Sequence, residues 1–265
     1  MSMYAIKDLS SALSNLRGWS YLASKQLQLE HRRTWVGSAW IVLAFALTSA
    51  GIGALMAQLQ GRPLTEHVPY VMFGFAAWNF ISSAVTGGTN VMVNAKPYLL
   101  QMRVSRSVFV LSATLRNTYL LFIQLFTAAV VSTFFGWRPD PANLWVVPAI
   151  AIYILAAFGT MTVLGLICAR IRDLARLIEA VMRMSFFFTP IIWTPGTREM
   201  GDGSIIRFMM DWNPFTHVLL AFRDPLLANR LDPINWGVLL ALTVLLLLGA
   251  LITLQTAGRR VTYWL

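Results

Sequence analysis

Few residues of this sequence have the types and spacing that catalysis requires. His31, His67 and His217 lie far apart and lack the HExxH spacing that places two metal ligands on one helical face. The sequence has no GxSxG motif and no Gly-Lys pair, so the phosphate-binding loop GxxxxGK[ST] is absent. A single cysteine, Cys168, excludes an internal disulfide and a cysteine-built metal site. We therefore expect neither catalysis nor ATP hydrolysis from this chain itself.

Two kinds of residue inside the apolar runs could contact a ligand. Arg116 is the one charge there, and it either extends its stem back to the membrane interface or binds an anionic ligand. The other kind is aromatic. Sugar rings stack on aromatic faces, although core packing and interfacial belts are the alternative roles of each such residue. The candidates for the lining of a substrate channel are Trp40, Phe75, Trp78, Phe187 and Arg116.

The composition indicates which solvent surrounds these residues. Apolar residues make up 57% of the 265 and charged residues 12%, against about 45–50% and about 25% in soluble domains. Too few charges remain to cover a water-exposed surface, so a soluble enzyme, a disordered chain and a coiled coil are excluded. The formal net charge is +10, but the basic residues lie in short clusters between long apolar runs. This pattern is an orientation signal of membrane proteins, and we expect no nucleic acid partner.

The apolar runs predict an all-α membrane protein with a single transmembrane domain over 1–265. Crossing about 30 Å of hydrocarbon takes about 20 residues of helix. The fifth run is the least regular, because it needs part of a preceding basic segment to reach that length. No cleavable signal peptide is expected. The six predicted spans lie near 35–57, 69–93, 107–135, 142–169, 177–193 and 235–257.

The distribution of Lys and Arg predicts the orientation. The side that includes both termini carries 14 of the 21 basic residues, and the opposite side carries 6. Because basic loops stay on the cytoplasmic side, both termini are expected in the cytoplasm. The basic side comprises the segments 1–33, 96–106, 170–183 and 258–265.

Two segments outside the spans are also informative. Apolar residues at a spacing of three and four over 9–33 predict one amphipathic helix that lies along the cytoplasmic membrane surface. The segment 194–234 is long for a loop, and it alternates apolar patches with prolines. Such a pattern suits short re-entrant helices at the periplasmic side, since irregular backbone at membrane depth must pack against protein or line a wet cavity.

Three motifs together resemble the membrane subunits of ABC-2-type exporters, in particular the permeases that export O-antigen, capsular polysaccharide or teichoic acid. A basic stretch followed by Gly37 and Trp40 leads into the first span, and an aromatic run before Pro190 ends the fifth. An Asn-Pro pair followed by an Arg-Asp pair matches the outer re-entrant helices. The motifs are QLEHRRTWVGSAWIVL at 28–43, FFTPIIWTPG at 187–196 and WNPFTHVLLAFRDPLL at 212–227.

The resemblance implies a half-transporter. Two copies of this chain would pair with two copies of an ATPase, which binds ATP and Mg²⁺, so that this chain needs no cofactor of its own. A lipid-linked polysaccharide would cross the bacterial inner membrane between the two copies, and export proteins of the periplasm or outer membrane are further expected partners. The segment 96–106 would couple to the ATPase through Lys96, Tyr98, Leu99, Leu100 and Arg103. The periplasmic re-entrant residues would be Asn213, Pro214, Arg223 and Asp224.

Two other classes of function remain open at this point. An ABC-2 exporter of drugs or small lipids would have the same fold and a different cargo, and the aromatic spans favour a glycan over these. A membrane-embedded glycosyltransferase that acts on lipid-linked sugars would need acidic residues near a membrane face. Asp173 with Glu179 is the candidate pair for such an enzyme.

Overall fold

The computed structural model describes residues 4–31, 39–101, 104–194, 210–258 and 260–264, and the regular secondary structure in these ranges is entirely helical. This agrees with the predicted all-α fold. A short 3-10 helix, Pro141–Trp145, precedes α7. The α-helices are α1 Tyr4–Ser14, α2 Leu16–His31, α3 Ala39–Leu59, α4 Leu64–Asn94, α5 Lys96–Gln101, α6 Arg106–Phe134, α7 Val146–Arg170, α8 Asp173–Phe188, α9 Pro214–Leu227, α10 Pro233–Ala257 and α11 Val261–Trp264.

Five helical segments of the described chain are long and apolar enough to cross a membrane: Ala39–Leu59, Leu64–Gln101, Arg106–Phe134, Pro141–Arg170 and Pro233–Ala257. They overlap the first four and the sixth of the predicted spans. Helix α8, in the fifth predicted span, ends at Phe188, before a non-helical segment. Its 16 residues extend about 24 Å, short of the roughly 30 Å of hydrocarbon. A count of six spans is therefore not confirmed and stays a prediction.

Helix α4 lies at the centre and packs against α3, α6, α7, α8 and α9. Two close approaches in this core depend on glycine. A Cβ at Gly88 of α4 would lie 3.0 Å from the Cα of Met161 on α7, and one at Gly159 of α7 would lie 2.9 Å from the carbonyl carbon of Leu246 on α10. Without side chains at these points, α7 can approach both neighbours closely enough for backbone contact.

The two ends of the chain meet at one end of the helix bundle. The buried carboxylate of Asp8 on α1 accepts hydrogen bonds from the backbone N–H groups of Arg106 (3.1 Å) and Ser107 (3.0 Å), which begin α6. The Ala5 N–H donates to Gln255 Oε1 near the end of α10, at 3.0 Å. An acid at a helix N-terminus satisfies free donors and complements the helix dipole. Helix α1 is therefore fixed against both α6 and α10.

The amphipathic segment 9–33 differs from its prediction as one continuous helix. The structure has two helices here, α1 and α2, which are separated at Asn15. The side chain of Asn15 accepts a hydrogen bond from the N–H of Gly18 at 3.1 Å, as an N-cap does. Leu13 and Leu16 on either side of the break are both more than half exposed. Residues 32 and 33 lie outside the described residues.

Candidate functional site

An open groove between α4 and α8 combines aromatic and polar side chains. Its volume is about 520 Å³. Helix α4 contributes Trp78 and two hydroxyls, and α8 contributes two phenylalanines, a methionine and two charged residues. This lining, named the aromatic groove below, consists of Trp78, Ser82, Thr86, Glu179, Met182, Arg183, Phe186 and Phe187.

Phe186 is the centre of the ring contacts at this groove. Its ring centroid lies 5.7 Å from that of Phe75, 5.9 Å from that of Trp78 and 5.4 Å from that of Phe187. Trp78 also meets Phe215 of α9 edge to face, at 5.8 Å. Three of the four aromatic residues proposed from the sequence are thus brought together. Trp78 is 5% exposed whereas Phe187 is 65% exposed, so Phe187 presents its ring outward.

Two charged residues, Glu179 and Arg183, line the groove but were not among the channel residues predicted from the sequence. They lie one turn apart on α8 and so face the same side of the helix. Charged side chains at membrane depth are costly unless they face water or protein. The sequence does show these two charges four residues apart, shortly before the run Phe186–Phe188. The groove therefore offers aromatic faces, hydroxyls and charges along one surface, which together can contact a polar chain with apolar ring faces.

The other two proposed channel residues lie elsewhere. Trp40 is on α3, 55% exposed, and within the described ranges no ring contact joins it to the aromatic cluster. Arg116 lines a second cavity, of about 470 Å³, between α2, α4 and α6. We name it the cationic cavity because Lys25 and Arg116 line it and none of its described lining residues is acidic. Its polar lining also includes the amides of Gln26, Asn90 and Asn94 and the hydroxyls of Ser83 and Tyr98.

The proposed coupling residues fall largely on α5, at the end of the bundle where α1 and α2 also lie. Tyr98 and Leu100 are 47% and 57% exposed, whereas Leu99 is 7% exposed and belongs to the core. The ring of Tyr98 contacts that of Phe109 on α6, at 5.9 Å between centroids. Lys96 begins α5, and Arg103 lies outside the described residues. The exposed surface of α5 thus includes Tyr98 and Leu100.

The four proposed outer residues belong to α9 and its cap. Asn213 caps α9 by accepting from the N–H of Phe215 (3.0 Å), and its amide donates to Thr189 Oγ1 (3.0 Å); Pro214 is the first residue of the helix. Arg223, 2% exposed, donates from Nη1 to the carbonyl oxygen of Pro190 at 2.7 Å. The irregular segment after α8 is therefore held by α9, and Asp224 follows directly on the same helix.

Gln60, which directly follows α3, and side chains of α4 complete the hold on this segment. The Tyr70 hydroxyl donates to the carbonyl oxygens of Pro190 and Trp193, both at 3.1 Å. The carbonyl oxygen of Ile192 accepts a hydrogen bond from Gln60 Nε2 at 3.2 Å. His67 Nε2 lies 3.2 Å from the same oxygen. This non-helical backbone is thus packed against protein, as irregular backbone within a membrane would have to be. Within the described ranges, no group of His, Cys, Asp and Glu could hold a metal ion.

Comparisons with known proteins agree with this architecture. The family model described as ABC-2 type transporter matches residues 18–227. A protein named O-antigen export system permease protein RfbA, from Klebsiella pneumoniae, is 23% identical over 216 residues, which are 80% of this chain and 80% of that protein. A protein of the same name from Myxococcus xanthus is 22% identical over 231 residues, which are 86% of this chain and 88% of that protein.

The matched region extends from α2 to the end of α9, so it includes the aromatic groove, the cationic cavity and the capped helix α9. The relatives are permeases, which are transport subunits rather than catalytic ones, and their lengths match that of this chain. With its apolar helices, this chain belongs to the ABC-2 type transporter family, as a multi-pass permease of the bacterial inner membrane.

Proposed function

We propose that this chain is the membrane subunit of an ATP-driven exporter that moves a lipid-linked polysaccharide, of the O-antigen or capsule type, across the inner membrane. Two relatives are named for O-antigen export. The single observation that carries the proposal is the aromatic groove, where Trp78 and Phe187 share one surface with hydroxyls and charges. A glycan presents apolar ring faces and polar hydroxyls, and this lining has a partner for each.

The strength of such contacts suits a moving chain. A stacked aromatic contact contributes roughly 0.5–1.5 kcal/mol beyond area burial, which attracts a sugar unit without holding it for long. A small apolar drug would use the rings but leave Glu179 and Arg183 of the groove without a polar partner. The mixed lining therefore favours a glycan over the cargo of a drug or small-lipid exporter. The relatives are named as permeases, which gives no support to a glycosyltransferase.

A second copy of this chain would enclose the open groove. Helix α8 packs mainly against α4, and its other side exposes Leu177, Val181 and Met184. The same helix carries four charged residues in 16, which are unfavourable in contact with lipid. A homodimer in which the two α8 helices face each other would cover the apolar stripe and leave the charges toward a water-filled channel.

Disulfide cross-linking tests this arrangement. We expect Val181→Cys to form a disulfide between two copies in membranes under mild oxidation, because the paired helices bring the two side chains together. Leu245→Cys on α10 is the matched control, since Leu245 is comparably exposed (64% against 51%). The native Cys168 is buried and does not interfere. Equal dimer yields from both positions would contradict the α8 interface.

The remaining topology follows from the same proposal. Helix α8 and the segment that continues to residue 193 form the fifth of six spans, and α9 belongs to a re-entrant element on the periplasmic side. The end of the bundle formed by α1, α5 and α11 then faces the cytoplasm, in keeping with its excess of basic residues. Export proteins of the periplasm or outer membrane would meet the opposite end.

Coupling is proposed to run through α5. Two copies of a separate ATPase, which binds ATP with Mg²⁺, would receive the exposed Tyr98 and Leu100 in an apolar groove, with Lys96 and Arg103 at its rim. We expect Tyr98→Ser with Leu100→Ser to weaken copurification of the ATPase. Unchanged copurification would contradict this contact. The cationic cavity lies behind α5 and α2, and there Arg116 would contact an anionic part of the substrate.

The aromatic groove can be tested at Phe187, because that side chain is exposed and its loss should not unfold the chain. We expect Phe187→Ala to reduce the glycan exported per folded transporter severalfold while expression and basal ATP hydrolysis stay near wild type. Phe126→Ala on α6 is the matched control, since Phe126 is 72% exposed and lies outside the groove lining. Export is measured at the cell surface and divided by the amount of folded complex.

Trp78→Ala extends the same test to a buried position. It is expected to lower both export and abundance, because truncating a buried tryptophan costs about 3–5 kcal/mol. If Phe187→Ala and Phe126→Ala gave equal export per molecule, the aromatic groove would not be the glycan path. Export of a small amphiphile, with no glycan export by the wild-type complex, would support the drug or lipid exporter.

A further inference from the structure

The outer end of the bundle contains a third cavity, which no part of the proposed path yet uses. Its volume is about 330 Å³, at the lower end of the roughly 300–1,000 Å³ range of small-molecule sites. It lies where the start of α4 meets the end of α9 and the segment after α8. We name it the outer cavity; its polar lining includes Arg62, Glu66, Tyr70, Arg223, Asp224 and Arg230.

One wall of the outer cavity is rigid. The guanidinium of Arg223 lies over the ring of Tyr70, 3.7 Å from its centroid, and both side chains hydrogen-bond the carbonyl oxygen of Pro190. A stacked, buried arginine that also forms a 2.7 Å hydrogen bond is fixed in position. The wall therefore holds the neighbouring Asp224 in a defined place on α9.

Asp224 supplies a buried acceptor at this wall. The residue is 7% exposed, and its Oδ2 atom accepts no hydrogen bond from the described residues. Arg230 forms an ion pair with this carboxylate: its Nε lies 3.6 Å from Oδ2, and its side chain is 68% exposed. Burial raises the pKa of the Asp224 carboxyl, and the guanidiniums of Arg223 and Arg230 oppose this rise. An exposed arginine can move aside at small cost, which would open the carboxylate to a ligand.

The charges around the outer cavity select the class of ligand. Arg62 and Arg230 offer donors, while Glu66 and Asp224 offer acceptors, so both kinds of group line the same space. A phosphate is an anion and would be repelled by the two carboxylates. A metal cation would be repelled by the arginines. A sugar hydroxyl both donates and accepts, and carboxylate and guanidinium forks can each contact two neighbouring hydroxyls.

We propose that the outer cavity binds one uncharged sugar unit of the glycan as the chain leaves the membrane, with Asp224 and Glu66 as hydrogen-bond acceptors and Arg62 and Arg230 as donors. This inference rests on the proposed function, since it assigns a second contact to the same substrate. It places a polar, hydrogen-bonding site at the outer mouth, after the weaker aromatic contacts of the groove. A unit held there would hinder backward sliding of the chain between steps.

A binding measurement with the whole transporter tests the site. The permease with its ATPase is placed in nanodiscs, and the probe is a lipid-free oligosaccharide released by mild acid from the surface polysaccharide of the source strain. All proteins carry Phe187→Ala, so that the aromatic groove contributes little to binding. We expect Asp224→Asn and Glu66→Gln each to weaken the measured affinity about tenfold, because a charge-assisted acceptor is lost. We expect inorganic phosphate not to displace the probe.

Asp211→Asn is the matched control, because Asp211 is exposed and does not line the outer cavity. The affinity of this variant for the oligosaccharide should equal that of the parent, which carries Phe187→Ala alone. If Asp224→Asn fails to fold, Glu66→Gln decides, since Glu66 is exposed. Unchanged affinity in the folded variants, displacement by phosphate, or no binding by the parent would overturn the site. Export by the complex with Phe187 intact separates the two ideas: export with unchanged affinities overturns only the outer site, whereas absent glycan export overturns the proposed function.

Discussion

Helices α8 and α10 both expose a row of apolar side chains, but they differ in charge and in packing. The 25 residues of α10 contain no charged residue, and the helix packs so closely on α7 that Gly159 approaches the backbone at Leu246. The 16 residues of α8 contain Asp173, Arg176, Glu179 and Arg183, and the helix leaves an open groove against α4. Both helices thus have exposed apolar side chains, but α10 is uncharged and closely packed whereas α8 is charged and loosely packed.

The difference indicates what surrounds each helix. Lipid accepts a row of leucines such as the one on α10, but it does not accept four charges on a short helix. Helix α8 is therefore suited to water and to a protein partner, and α10 is suited to hydrocarbon. In this permease, close packing holds the scaffold of α4, α7 and α10 together, while the loosely packed, charged helix carries the proposed surface for substrate. Three experiments can break or sharpen this contrast.

The largest effect is expected from a charge placed on each exposed face. Leu245→Arg, at the middle of α10, should cost about 2.5–3.5 kcal/mol, because an arginine at the centre of a lipid-facing helix is poorly solvated. Val181→Arg on α8 should leave the amount of inserted protein near wild type. The measurement is the amount of each variant in the membrane fraction. Equal losses would show that both faces contact lipid, and the contrast would fail.

A smaller effect is expected where α7 meets α10. Gly159→Ala places a methyl group 2.9 Å from the carbonyl carbon of Leu246, and such overpacking costs about 1–3 kcal/mol. Gly237→Ala is the control within α10, because a Cβ there meets nothing within 4 Å. Thermal unfolding of the purified protein should show a lower midpoint for the first variant only. Equal midpoints would mean that α10 does not depend on close packing.

The contrast between the helices explains which features the sequence could predict. The five long spans are continuous apolar runs, and α10 is the clearest of them, so hydropathy alone located them. Helix α8 mixes charged and aromatic residues and stops before Pro190, so its length could not be read from hydropathy. The break at Asn15 was missed because the apolar spacing continues across it, whereas the side chain of Asn15 begins a new helix locally.

The candidate site was predicted only in part, for a related reason. Residue type identified Phe75, Trp78 and Phe187, but only the packing of α8 on α4 shows that they share one cluster. Arg116 instead lines the separate cationic cavity, and Leu99 of α5 is buried in the core. The contacts of Pro190 depend on a backbone carbonyl, which has no signature in the sequence.

The smallest effect on stability is expected from Glu179 and Arg183, and it gives the sharpest test of what α8 does. Two opposite charges one turn apart on a helix contribute only about 0.3–0.5 kcal/mol, so the double variant Glu179→Leu with Arg183→Leu should fold and insert at least as well as the wild type. Its α8 would then resemble α10, an apolar helix suited to lipid. Because the groove would lose the charges that keep it hydrated and that contact sugar hydroxyls, glycan export per folded transporter should fall severalfold. Replacing the exposed Arg176 by leucine is the control, since Arg176 does not line the groove. Undiminished export by the double variant would mean that the charges of α8 serve only orientation or assembly, and the difference between the two helices would then carry no information about the substrate path.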